Sequence, residues 1–363
     1  MKIVKMDPHH LEEEKIEEVI QMLKEGKIVA FPTDTVYGLG VIAENEAAMK
    51  RLYQVKKRSL DKPMTLFLKK KGGFIQFVRA VPLFAQRLIN AFWPGPLTLI
   101  FKAGQGSPQQ LISRQGKIGL RVSAHSIPRT IIEKGEILLA TTSANLSGKL
   151  TPSSPGDLDK ALLDGIDLLV DGGDSLLGEE STIVDVTQFP PLLMREGWLL
   201  SQQIEKVWQE KGYVLFVCTG NTCRSPMAKG LLKKMWPQSQ IDEIKIDSAG
   251  TGALPGSPSS SLTQKVMKEK GVDISYYESK PLNQKMVEEA DLILVMEKMH
   301  KNRVLELSSL AEGKVFLLKK FALGVEEEIL DPMGGSEESY RECAREIEKS
   351  IEGVMEKLTG CTE

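Results

Sequence analysis

Cysteine and histidine are scarce in this 363-residue chain, with four of each. Cys218, Cys223, Cys343 and Cys361 are the only thiols, and all lie in the second half. Four thiols in a chain of this length do not make a disulfide framework, so a reducing, cytoplasmic setting is expected. His9, His10, His125 and His300 form no Cys/His pair at ligand spacing, which argues against structural zinc and predicts no metal-ligating residues. No apolar run approaches the ~18–20 residues of a membrane span, and the Met1 end lacks a signal-peptide pattern. Neither membrane association nor export is therefore expected. Internal repeats, low-complexity stretches and, before residue 205, a Gly-rich Walker loop are also missing, so ATP use is not legible from that motif.

What is present is an ordinary globular mixture, 41% apolar and 26% charged, in a chain long enough for two domains. The net charge of −2 hides a strong local bias. Residues 51–150 carry about 17 basic and 3 acidic side chains, whereas 151–200 carry about 2 against 10. Such a block is either a solvated face or a positive cavity that attracts nucleotides, pyrophosphate or RNA. A nucleotide pocket fits the local confinement better than general nucleic-acid binding.

The pattern from Glu12 to Lys24 places Ile16, Val19, Ile20 and Leu23 on one helical face. Lys27–Phe31, closed by Pro32, reads as a buried strand, and further strands are predicted at Thr98–Phe101, Gly119–Val122, Ile137–Ala140, Leu168–Val170 and Thr182–Val186. Alternation with helical segments predicts an α/β domain over 1–205. A second buried strand begins at Tyr213–Val217, followed by a helix from about Pro226 to Met235. The strands Ile244–Asp247, Leu292–Met296 and Val315–Leu318, the helix Thr263–Lys270 and a last helix at about Ser336–Leu358 complete a small parallel-sheet domain over 212–363. Ser201–Glu205 is expected to form a short helix and linker, with the seam at 205–212.

The most specific local signal is Val217-Cys218-Thr219-Gly220-Asn221-Thr222-Cys223-Arg224-Ser225-Pro226, between a strand and a helix start. Ser225 is expected near the N-cap and Pro226 near the first helical position. Backbone N–H groups and the helix dipole would form an anion cradle, with the Arg224 fork matched to phosphate oxygens. Cys218 at its base is expected to be lowered from ~8.5 toward or below ~7.5, assisted by Ser225. Asp331-Pro332 supplies a candidate general acid.

This loop, with Asp247-Ser248-Ala249-Gly250-Thr251 and Asp331-Pro332, resembles the low-molecular-weight protein phosphatases, which include arsenate reductases. The resemblance implies a flavodoxin-like, four-stranded parallel sheet. It assigns Cys218 as nucleophile, Arg224 as clamp and Asp331 as acid, with Thr219, Gly220, Asn221, Thr222, Cys223 and Ser225 forming the loop and no cofactor. Thr222 stands where tyrosine-specific members carry a bulky aliphatic residue, and Met333-Gly334-Gly335 follows Asp331-Pro332 in place of a tyrosine pair. Both departures resemble bacterial protein-arginine phosphatases, so phosphoarginine is preferred over phosphotyrosine as the expected substrate. A strict tyrosine phosphatase, an arsenate reductase and a phosphopeptide-binding pseudophosphatase are the alternatives. Cys223 is either a buried filler or the partner of a reversible Cys218 disulfide; Cys343 and Cys361 do not suggest an arsenate relay.

In the first half, polar clusters follow apolar runs at Pro32–Gly40, Lys56-Lys57-Arg58 with Lys62, Trp93–Thr98, Gly119–Val122, Thr141–Gly148, Ser181–Asp185 and Arg195-Glu196-Gly197. In this order they resemble the YrdC-like threonylcarbamoyl-AMP synthases, which implies a twisted α/β sheet around a positive cavity. The implied reaction joins L-threonine, bicarbonate and ATP into threonylcarbamoyl-AMP and pyrophosphate, for tRNA modification through a downstream transferase. By this resemblance Lys56, Arg58, Lys62, Asn145, Ser153 and Arg195 hold ATP, and Thr35, Arg121, Ser143 and Ser181 hold threonine. Magnesium is expected on the phosphates. Phe67 and Glu196 depart from the commoner pattern, and the extra lid domain of some members is not expected here. The alternative is a double-stranded RNA-binding module without synthase activity.

Overall fold

The computed structural model describes residues 1–359; Cys361 lies outside them. The chain divides into two compact units, one of Met1–Arg79 with Ala91–Lys206, the other of Ala80–Asn90 with Val207–Glu363.

The first unit is built on a ten-stranded mixed sheet. Its strands are β1 (Lys2–Lys5), β2 (Val29–Phe31), β3 (Gly38–Ile42), β4 (Thr65–Phe67), β5 (Leu97–Lys102), β6 (Lys117–Arg121), β7 (Leu139–Ser143), β8 (Leu168–Asp171), β9 (Thr182–Asp185) and β10 (Leu192–Arg195). They lie in the order β1-β8-β2-β3-β7-β4-β6-β5-β9-β10. The helix Glu13–Lys24 lays Ile16, Val19, Ile20 and Leu23 against Val29 and Phe31 of β2 and Leu168 and Val170 of β8. Ile127, Ile131 and Ile132 of the helix Ser126–Gly135 close the same core.

Four strands escape the sequence patterns. β1 has only Val4 buried, and β10 alternates exposed and half-buried residues, so neither shows an apolar run. β4 is three residues long. β3 contains two glycines, read from sequence as turn chemistry. Gly40 is required there because a Cβ would stand 2.6 Å from the Phe31 ring. These strands are set by ladder partners, β3 by β2 and β7, and β4 by β6 and β7, and not by local propensity.

The second unit has a four-stranded, all-parallel sheet, the flavodoxin-like architecture. Its strands are β11 (Gly212–Cys218), β12 (Ile244–Gly250), β13 (Leu292–Val295) and β14 (Val315–Leu317), in the order β12-β11-β13-β14. All of β11 is buried, as expected of a central parallel strand covered on both faces. The helix Glu337–Thr359 packs on the helix Arg224–Met235. β11 is flanked by the next two strands of the chain, so its carboxyl end opens at the point where the winding reverses, the usual place for a ligand.

Candidate active sites

The turn after β11 places Cys218 at its base, only 2% exposed. Asn221 adopts φ +55°, a left-handed conformation that asparagine tolerates better than most residues. Its Nδ2 donates to Ser225 Oγ at 2.8 Å, and its Oδ1 accepts from the Tyr277 hydroxyl at 2.5 Å and Lys280 N at 2.8 Å. Ser225 Oγ in turn lies 2.9 Å from Cys218 Sγ. Gly250 must lack a side chain, because its Cβ would stand 2.4 Å from Thr219 O and 2.9 Å from Asn221 N.

The helix starts at Arg224 with Cys223 at the N-cap, not at Pro226 with Ser225 capping. The Ser225 hydroxyl is occupied by Cys218 and Asn221. Pro226 sits in the first turn, where a missing N–H breaks no helical bond.

Arg224 is the most heavily partnered residue of this site. Its Nη1 meets Ile329 O and Glu297 Oε2, both at 2.9 Å, and Nη2 meets Asp331 Oδ2 at 2.5 Å. Its Nε is buried without a protein partner among the described residues. Asp331 is partly exposed, and Thr222 is half-buried at the turn. The structure thus brings Cys218, Arg224 and Asp331 together around the Thr219–Ser225 turn.

The Cys218 thiol departs from expectation. Burial, the largest influence, pushes it up, while the Ser225 hydroxyl and N–H, the Arg224 charge and the Asn221 N–H pull it down. The motif displayed the stabilising groups but not the depth of burial. Cys218, Cys223 and Cys343 are all free thiols.

In the first unit a cavity of about 780 Å3 is lined by Arg58, Lys62, Arg195, Thr35, Arg121, Ser143 and Ser181 among others. Seven of the ten residues expected for ATP and threonine therefore share one cavity. Arg121 is buried at its wall, with Nε donating to Gly95 O at 3.0 Å and Nη1 to Thr35 Oγ1 at 3.0 Å. Its Nη2 is ion-paired with Asp34 Oδ1 at 2.8 Å but makes no hydrogen bond among the described residues. Arg195 is held on Ser181 O at 2.8 Å and Glu180 Oε1 at 2.8 Å. Arg58 is braced on Lys62 O at 2.8 Å and Pro63 O at 3.1 Å.

Lys56, Asn145 and Ser153 do not line the cavity. Lys56 Nζ, fully buried, donates to Ser143 O and to Asn145 O, the latter at 2.8 Å. Ser153 Oγ is 3.2 Å from Asp157 Oδ2 in a turn. Sequence reasoning missed Asp34, Lys117, Glu180 and Asp185. Asp34 and Asp185 each stand in a quoted cluster, and their ion pairs with Arg121 and Lys117 are non-local. The lining carboxylates Asp61, Glu180 and Asp185 pair with Arg114, Arg195 and Lys117. No group of three or more His, Cys, Asp or Glu that could hold a metal ion occurs among the described residues. No helix among them is long and apolar enough to cross a membrane.

Residues 21–197 match the Sua5/YciO/YrdC family model, described as telomere recombination, and residues 213–361 match that of the low molecular weight phosphotyrosine protein phosphatases. The first part is 38% identical over 197 residues to the threonylcarbamoyl-AMP synthase of Pyrococcus abyssi, covering 54% of this chain and 58% of that protein. The chain thus spans less than two thirds of that relative. A relative from Methanocaldococcus jannaschii is 34% identical over 209 residues, covering 56% of this chain and 97% of its own length. The second part is 40% identical over 145 residues to the protein-arginine-phosphatase of Geobacillus stearothermophilus, covering 40% of this chain and 95% of the relative. The chain belongs to both families, the Sua5/YciO/YrdC family through its first half and the low-molecular-weight phosphatases through its second.

Burial, then the nearby Arg58 charge, lowers the Lys56 ammonium to about 7, against a smaller upward pull from Glu180. The folded chain therefore releases this proton near pH 7, while the unfolded chain keeps it to about 10.5. The unfolded state binds more protons in that window, so this group makes stability rise with pH from 7 to 10.5, by at most ~1.4 kcal/mol per pH unit. One lysine Cε resonance should titrate near pH 7 in NMR spectra and vanish in Lys56→Met. If every lysine titrates above pH 9, the buried ammonium is held charged by its carbonyl partners instead.

Proposed function

We propose that the chain is a bifunctional enzyme in a cytoplasmic setting, a threonylcarbamoyl-AMP synthase followed by a thiol-dependent protein-arginine phosphatase. The single observation that carries the phosphatase is Arg224, buried with Nε unpartnered beside a turn that holds Cys218. Phosphoryl oxygens would take the free Arg224 Nε–H, the Nη2 side that Asp331 vacates and the turn's N–H groups, leaving phosphorus in line with Sγ. Cys218, whose thiol burial pushes up, gives its proton to an oxygen of the bound phosphoryl group and attacks as the thiolate, and the P–N or P–O bond to the leaving group breaks. Asp331, which the Arg224 fork holds in the anion-free site, is released when phosphoryl oxygens take its place, picks up a proton from solvent and passes it to the leaving group. Water then cleaves the phosphocysteine with Asp331 acting as base. In this reading Ser225 stabilises the thiolate, and Asn221 holds Ser225 and the loop.

For the first half, the supporting observation is a cavity that gathers Arg58, Lys62, Arg121 and Arg195 beside Thr35, Ser143 and Ser181. Threonine would place its carboxylate on Arg121, whose orientation is fixed by Asp34 and Thr35. Its amine and bicarbonate give a carbamate oxygen that attacks the α-phosphorus of ATP, with pyrophosphate leaving. Arg58, Lys62 and Arg195 neutralise charge on the polyphosphate. Lys56 and Asn145 contribute by bracing the turn at Ser143, and Ser153 by shaping the neighbouring turn. Magnesium enters with ATP as part of the substrate, and the adenylate serves tRNA through a separate transferase.

Two outcomes test the pair of activities. Pyrophosphate release should require threonine, bicarbonate and ATP together; release that persists without threonine would contradict the synthase. On one peptide carrying phosphoarginine or phosphotyrosine, the wild type should favour phosphoarginine, and Thr222→Ile should lower that preference by roughly tenfold, the scale of one polar contact. An unchanged ratio would mean that Thr222 does not select the substrate.

A further inference from the structure

A histidine behind the phosphate loop has no role in the chemistry above. His300 is fully buried, at 0% exposure, in the first turn of the helix Lys298–Leu307. Its Nδ1 accepts the backbone N–H of Glu297 at 3.1 Å. Its Nε2 lies 2.8 Å from Thr219 Oγ1 and 3.4 Å from Glu297 Oε2.

The protons can be placed by elimination. A backbone N–H only donates, so Nδ1 must present a lone pair. A neutral ring then carries its proton on Nε2, whose nearest acceptor is Thr219 Oγ1. Burial holds this imidazole below its ordinary range, against an upward pull from Glu297, which keeps the ring neutral near pH 7. Thr219 Oγ1 also faces Arg224 Nη2 at 3.5 Å. With donors directed at it from two sides, the hydroxyl has only its own proton left to offer to a third group.

We propose that His300 is a positioning residue that fixes the Thr219 hydroxyl as a hydrogen-bond donor to the phosphoryl group held in the loop. The inference rests on the phosphatase reading of that loop. The same ring registers the clamp: it holds Glu297 N, and the Glu297 carboxylate is 2.9 Å from Arg224 Nη1. One imidazole thereby sets two groups that face the anion, the Thr219 hydroxyl and the Arg224 fork. The competing role is a helix cap alone, since the Nδ1 bond closes the first turn.

Two variants of the intact chain separate the roles. His300→Asn keeps an acceptor near the Nδ1 position and loses the reach to Thr219. His300→Gln restores an amide donor near the Nε2 position and gives up the cap. His300→Asn should lower kcat/KM on a phosphoarginine peptide roughly 3- to 10-fold, the size of one hydrogen bond, and His300→Gln should recover most of it. Thr219→Val should lose as much as His300→Asn, and the double variant should be no worse than Thr219→Val. Additive losses, or a Gln variant worse than Asn, would overturn the proposal in favour of the cap. Long-range 1H–15N NMR of the wild type near pH 7 should show His300 protonated on Nε2 only; the opposite tautomer would also overturn it. If the wild type hydrolyses neither phosphoarginine nor phosphotyrosine peptides, the phosphatase reading fails. The tautomer, and the same double-variant cycle read as affinity for inorganic phosphate, still decide the role of His300.

Discussion

A buried guanidinium held by carboxylates is the interaction on which both candidate sites depend. Arg121 and Arg224 are 4% and 1% exposed, and a cation so far from water is tolerated only when paired and hydrogen-bonded. Arg121 meets Asp34, Thr35 and the Gly95 carbonyl; Arg224 meets Glu297, Asp331 and the Ile329 carbonyl. Breaking such a pair from one side costs about 3–5 kcal/mol. The pairing therefore fixes each fork in one orientation before any anion arrives, and the reaction need not supply that ordering.

The surrounding structure serves this constraint in two ways. In the second unit the fork is mounted at a helix start where the parallel sheet reverses its winding, so dipole, backbone N–H groups and guanidinium share one focus. The left-handed Asn221 and the bare Gly250 let the turn close over the strand end. In the first unit no helix start is used. Arg121 ends a strand inside a broad mixed sheet, and the cavity is made positive by Arg58 and Lys62 from one segment and Arg195 from another. The excess of basic residues over 51–150 is thus partly a cavity wall and not only a solvated face. That follows only after Lys56 is set aside, since its ammonium is used inside the protein.

Legibility in the sequence followed locality. The helix over 13–24 and the buried β11 declared themselves because period and apolarity are local. Strands such as β3 and β10 did not, because one carries glycines and the other an exposed edge. In the sites, Cys218, Arg224 and Ser225 were readable as one short motif, and Asp331 as an acid before a helix. Glu297, His300 and Asp34 were not, because their meaning lies in the distant partners Arg224, Thr219 and Arg121. Lys56 shows the converse limit. Its residue type and its place beside Arg58 suggested a phosphate ligand, but only the backbone path decides that its side chain turns inward.

The central claim is that each half needs its own planar fork and not merely a positive charge. Its most direct test is to assay both activities on single preparations of Arg121→Lys and Arg224→Lys, substitutions that keep charge and remove the bidentate edge. The account predicts that Arg121→Lys weakens threonine-dependent pyrophosphate release and leaves phosphoarginine hydrolysis intact, whereas Arg224→Lys does the reverse. Full activity of either lysine variant in its own reaction, or loss of both reactions from one substitution, would contradict it.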